Sequence, residues 1–161
     1  MKGFCDSSGR AWSISLTIDS AKRVRNLIEV NLLDLTSGDP PLLTRLGTDI
    51  LLLCDVIYAL VKPQADAQNI TDEMFGSLLG GEAIQAAQSA FYEELIGFFQ
   101  SAGRTDMMKA LTAQRMLIDK AMKKIGVKID NLDLDKLLDL TLGESSTNSP
   151  DRVASTPPPS P

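Results

Sequence analysis

A chain of 161 residues with 43% hydrophobic and 23% charged residues has the size and balance of one soluble globular domain, long enough to bury a real core. A net charge of −5 argues against a protein that grips a phosphate backbone. The absence of histidine removes Ser-His-Asp and Cys-His catalysis and every histidine-ligated metal site. Two lone cysteines, Cys5 and Cys54, form neither a disulfide framework nor a zinc motif, so a reducing cytoplasm is the default compartment.

Charge is segregated along the chain. Residues 47–102 carry one cation, Lys62, against eight acids, a net −7; residues 103–125 carry a net +4. Such blocks suit antiparallel packing within the chain or between copies.

The N-terminus lacks the uninterrupted apolar run of a signal peptide. Trp12, Ile14, Leu16 and Ile18 alternate with Ser13, Ser15 and Thr17, the period of a half-buried strand. Placing Phe4 opposite Trp12 makes Asp6–Arg10 the loop of a hairpin, with Gly9 free to take a positive φ. Asp19 or Ser20 is positioned to cap a following helix whose inner face is Val24, Leu27 and Ile28. Val30–Leu33 fits either the end of that helix or a third strand; the strand is the preferred reading. Ser37-Gly38-Asp39-Pro40-Pro41 breaks the chain.

Thr48 or Asp49 then opens a helix expected to stop near Val61, before Pro63. Its apolar run, Ile50–Val61, is interrupted by Asp55 and too short to span a bilayer, so it reads as a buried helix. Thr71–Phe75 opens a short capped helix ended by Gly80-Gly81. A longer one carries the stripe Ile84, Ala87, Phe91, Leu95, Phe98 and Ala102. Beyond Gly103, Met107, Leu111, Ile118, Met122 and Ile125 define one side of another helix, with basic residues elsewhere. Asp133 is placed to cap a last short helix. From Gly143 the composition turns to Ser, Thr and Pro, too polar to offset ordering entropy, so disorder is expected over 143–161. The expectation is a mainly α (α+β) domain over 1–142, with a small N-terminal antiparallel β element and a disordered C-terminal tail.

No enzyme signature emerges. Gly80-Gly81 lacks the Lys-Ser/Thr of a phosphate loop, and Glu93-Glu94 and Asp72-Glu73 are adjacent pairs that diverge on a helix, read as solvated faces. Asp130, Asp133, Asp135 and Asp139 lack the glycine and terminal glutamate of an EF-hand. Neither cofactor nor metal is expected. The apolar features point instead to partners. Phe98 and Phe99 diverge by about 100° on a helix, so one of them is available to a partner. Met74, Phe75, Leu78 and Leu79 beside the double glycine could form an adaptable groove; Met107, Met108 and Met116 add soft surface. Lys22, Arg23, Arg25, Lys120, Lys123 and Lys124 read as solvated helix faces.

The order of these parts resembles the tail assembly chaperones of long-tailed bacteriophages over about residues 3–125. The pieces that carry the likeness are Phe4 to Thr17, Ala21-Lys22-Arg23-Val24-Arg25, Val30-Asn31-Leu32-Leu33-Asp34, Asp55–Leu60, Thr71–Phe75 and Ala90–Phe99. The resemblance implies a non-catalytic oligomeric chaperone that coats the long helical tape measure protein, keeps it soluble and helps deliver tail tube protein around it. It further implies a place in the host cell cytoplasm, absence from the mature virion, self-association, and no nucleic-acid or membrane partner. Many members are also made in a longer, frameshifted form. A structural virion component, such as a tail completion or head–tail connector protein, is the alternative. A small helical enzyme using carboxylates with a divalent metal and a bacterial regulatory adaptor are more distant rivals.

Overall fold

A computed structural model describes residues 1–130, with side chains through residue 126. Residues Met1–Lys120 form one compact unit, and Ala121–Pro161 form a second, whose described part is the end of a helix. The expected last helix at Asp133, the boundary at 142 and the tail all lie outside the described residues. Within the described residues the fold is mainly α, with six helices and a two-stranded antiparallel sheet. No described helix is long and apolar enough to cross a membrane.

Strands β1 (Lys2–Cys5) and β2 (Ala11–Ile14) pair with Phe4 opposite Trp12, and Gly9 turns the loop at φ 82°. Phe4, Trp12 and Ile14 point into the core. The loop is organised by Asp6. Its carboxylate accepts hydrogen bonds from the Ser8 N–H at 2.9 Å, the Ser8 hydroxyl at 2.6 Å, the Arg10 N–H at 3.0 Å and the buried Trp12 indole N–H at 2.9 Å. Burial alone would raise the pKa of Asp6. The hydrogen bonds from Ser8, Trp12 and Arg10 outweigh it and hold the group below its ordinary value.

Helix α1 (Ile18–Ile28) starts two or three residues earlier than expected. Thr17 is the N-cap, and Ser20 completes a reciprocal capping box. That places Ile18 on the helix surface rather than in the strand, and leaves Leu27 exposed while Val24 is buried. Glu29 ends the helix in the left-handed conformation.

The third strand does not form among the described residues. Asn31 closes a turn instead, its side chain accepting from the Leu33 N–H and its carbonyl from Asp34. Val30, Leu32 and Leu35 are nonetheless buried, so the alternation seen in sequence reflects packing without strand pairing. No open edge is offered by β2 at Ser13. The Gln64 side-chain amide occupies that edge, donating to the Ser13 carbonyl at 2.6 Å and accepting from its N–H at 3.0 Å.

An additional short helix, α2 (Leu42–Thr48), follows the proline break and buries Leu42 and Leu46. Asp49 then caps α3 (Ile50–Ala67), which continues past Pro63 rather than ending before it. Proline removes one helical hydrogen bond. The helix gains in exchange the burial of Ala65, the Gln64 contact to β2 and a Lys62–Asp66 ion pair at 2.7 Å. Helix α4 (Asp72–Leu78) is capped by Thr71, as its sequence suggests. Helix α5 (Glu82–Ser101) buries Ala87, Phe91 and Leu95 from the expected stripe, and also Ala83, Ala90, Tyr92 and Phe99. Gly103, at φ 71°, turns the chain into α6 (Thr105–Asp130), whose first turns bury Met107 and Leu111.

Candidate functional site

Three of the six residues singled out for partner contact are core residues. Phe75 is 1% exposed and wedged between aromatic rings, edge-on to Trp12 at 5.1 Å and tilted against Tyr58 at 5.4 Å. Leu79 and Phe99 are also buried. These side chains therefore hold the fold and present no surface in it, which corrects the groove expected around them. Met74 is exposed, while Leu78 and Phe98 are half-buried. Phe98 packs against the core and lies edge-on to Phe99 at 5.4 Å.

Glu93 and Glu94 also depart from expectation. They are structural ties, because the hairpin and α6 both reach over α5. The Glu94 carboxylate accepts from the Leu16 N–H at 2.9 Å and pairs with the Met1 amino group at 2.8 Å. Glu93 lies between Arg115 of α6 at 2.9 Å and Lys2 of β1 at 3.4 Å. The Arg115 hydrogen bond is the main reason its carboxyl lies below the ordinary range.

Exposed apolar surface gathers in two other places. The first is α6. Met107, Leu111, Ile118, Met122 and Ile125 define one side of this helix in the sequence. Met107 and Leu111 are buried and Ile118 is half-buried, but Met122 and Ile125 are exposed. Met116 and Leu117, off that stripe, are 59% and 63% exposed. Besides its buried residues, α6 is held by the Arg115–Glu93 pair and by close approach to α2 at Gly47. A Cβ at Gly47 would collide with the Gln114 side-chain amide. Lys120 is exposed beside Met116 and Leu117, so this part of the surface is apolar and basic together.

The second place is a groove of about 260 Å³ between α1, α3 and the start of α4, lined by Leu27, Ile28, Asp55, Tyr58, Lys62 and Asp72. A neighbouring depression shares Tyr58, Lys62 and Asp72. Leu51, one turn before Asp55 on the same face of α3, is 73% exposed. Burial pushes the Asp55 carboxyl up, and the neighbouring charges of Asp72 and Asp49 push it further. This surface is apolar and acidic.

Burial, with Asp55 and Asp72 nearby, raises the Cys54 thiol, the opposite of an activated nucleophile. Among the described residues no three Cys, Asp or Glu side chains converge as a metal site. The sequence offered Met116 as soft surface for a partner and set Leu27 on the inner face of its helix, and it did not single out Leu51 or Leu117 as exposed. The available signal for Leu117 was its position about 100° around the helix from the inward Ile118. The chain matches no protein-family model, no curated protein and no solved structure.

Proposed function

We propose that this protein is a non-catalytic tail assembly chaperone of a long-tailed bacteriophage. It binds the tape measure protein, keeps it soluble, helps recruit tail tube subunits in the host cytoplasm, and leaves before the virion is complete. The observation that carries the reading is the outer face of α6 at Met116 and Leu117, two large apolar residues exposed beside Lys120. Exposed apolar residues side by side on a helix are suited to another amphipathic helix, and methionine adapts to varied partners. The resemblance in the order of parts supplies the identity of that helix, a tape measure. Many weak contacts along a long helix add to strong overall binding when the chaperones are linked to one another, so self-association belongs to the same reading.

The test is co-expression with the longest helical protein encoded in the same gene cluster. The chaperone reading expects that protein to become soluble and to co-elute with this chain, and expects the chain to be missing from purified particles. An insoluble partner with no complex, or retention of the chain in particles, contradicts it.

A further inference from the structure

We infer that copies of this chain associate through α1 and α3: the outward face of α1 at Ile18, Lys22 and Arg25 in one copy packs along the exposed stripe of α3 at Leu51, Asp55 and Tyr58 in another. The inference rests on the self-association in the proposed function and names the two surfaces that make it. Both surfaces lie within the compact unit Met1–Lys120, and neither includes the face at Met116 and Leu117 assigned to the tape measure.

The two surfaces match in spacing and in charge. Ile18, Lys22 and Arg25 stand at i, i+4 and i+7 on α1, so they share one side of that helix, and all three are exposed. Leu51, Asp55 and Tyr58 stand at the same spacing on α3, with Leu51 and Asp55 exposed and Tyr58 half-buried. Each set covers about 10 Å at 1.5 Å per residue. Laid parallel, the two sets bring Ile18, 54% exposed, to Leu51, 73% exposed, and Lys22 to Asp55. Arg25 then comes level with Tyr58, beside Asp72 on the groove wall. Among the described residues Lys22, Arg25, Asp55 and Asp72 have no ion-pair partner, while the groove's own cation, Lys62, is held by Asp66 at 2.7 Å. Burial, with the charges of Asp72 and Asp49, raises the Asp55 carboxyl, and an arriving lysine relieves that cost.

The pairing does not close within one chain. Leu27 and Ile28 are the α1 residues that line the groove. At 100° per residue, Lys22 and Arg25 lie about 140° and 160° around the helix from Leu27. Arg23, four residues before Leu27, shares its inner side and donates to the Leu60 carbonyl at 3.2 Å. Lys22 and Arg25 therefore point away from the acids of their own copy, and a second copy supplies the missing cations. In sequence this face of α1 reads only as a solvated basic one. Thr17 as N-cap adds an exposed isoleucine to it, because the helix then begins at Ile18.

The test is sedimentation velocity of the purified full chain over a concentration series. The wild-type chain is expected to form larger species as concentration rises. Lys22→Glu and Asp55→Lys, made separately, each set like charges against one another between identical copies and should weaken association by at least about tenfold. Mixing the two variants, or combining both substitutions in one chain, should restore it, because opposite charges again face each other. Circular dichroism checks folding. If Asp55→Lys disturbs the groove, Asp55→Asn takes its place and is expected to weaken association without adding a charge. A wild-type chain that stays monomeric, a folded single variant that associates like wild type, or a mixture that does not recover overturns the inference. The assay contains no tape measure protein, so its failure and a failed co-expression are separate results.

Discussion

The hairpin and the start of α6 both carry apolar residues and both reach α5, but they are sealed to different extents. Trp12 and Ile14 of the hairpin are fully buried, and Asp6, Gln64 and Glu94 satisfy the polar groups of the loop, of the β2 edge and of the turn into α1. Helix α6 buries Met107 and Leu111, adds one ion pair to α5, and then leaves Met116 and Leu117 in solvent. Apolar residues in the hairpin contribute to stability. Those on the outer face of α6 have no partner within the compact unit and are available for association. The same residue types are thus core in one region and exposed in the other, and what separates them is whether something packs on top.

The largest expected effect lies at Trp12, whose truncation removes a fully buried ring, its edge contact with Phe75 and its bond to Asp6. Trp12→Ala should cost about 3–5 kcal/mol, read from urea unfolding. Asp6→Ala comes next, at about 2–3 kcal/mol, because it strips a charged acceptor from several donors. Its pH dependence sharpens the comparison. A carboxyl held lower in the folded state than in the unfolded one stabilises fully above the unfolded value, about 3.9. That contribution is lost as pH falls through the lower folded value, so wild-type stability should drop there and Asp6→Ala should drop less. Gln64→Ala, which vacates the β2 edge, should cost about 1–2 kcal/mol and leave Ser13 open to strand pairing.

Smaller still is Tyr92→Phe. Among the described residues the Tyr92 hydroxyl is buried without a hydrogen-bond partner, and burial pushes its pKa up to about 12. Its removal should be neutral or stabilising by up to about 1 kcal/mol. With the folded-state pKa raised, wild-type stability falls as pH climbs past the unfolded value near 10, and the phenylalanine variant should lack that component.

Much of the hairpin was legible in sequence because alternation, turn chemistry and a single tryptophan all agree. Phe4 opposite Trp12 and Gly9 at positive φ follow from local rules. The errors lie where a distant group decided the outcome. Pro63 does not stop α3, because Gln64 and Ala65 beyond it are held by β2 and by the core. Val30–Leu33 has strand-like alternation but pairs with no strand among the described residues. Phe75, Leu79 and Phe99 appeared available because neighbouring apolar residues cannot all face inward on one helix; elements remote in sequence cover them. Met107 and Leu111 are buried while Met122 and Ile125 of the same sequence stripe are exposed, because periodicity reports a face without reporting what lies against it.

The most direct test of this division is Met116→Ser with Leu117→Ser in the full chain, followed by thermal unfolding and by co-expression with the tape measure candidate. Exposed substitutions away from packing should move stability by no more than about 0.5 kcal/mol each, so the melting curve should stay close to wild type while solubilisation of the partner is lost. A large fall in melting temperature with solubilisation intact would mean that this face of α6 is core, and would contradict the account.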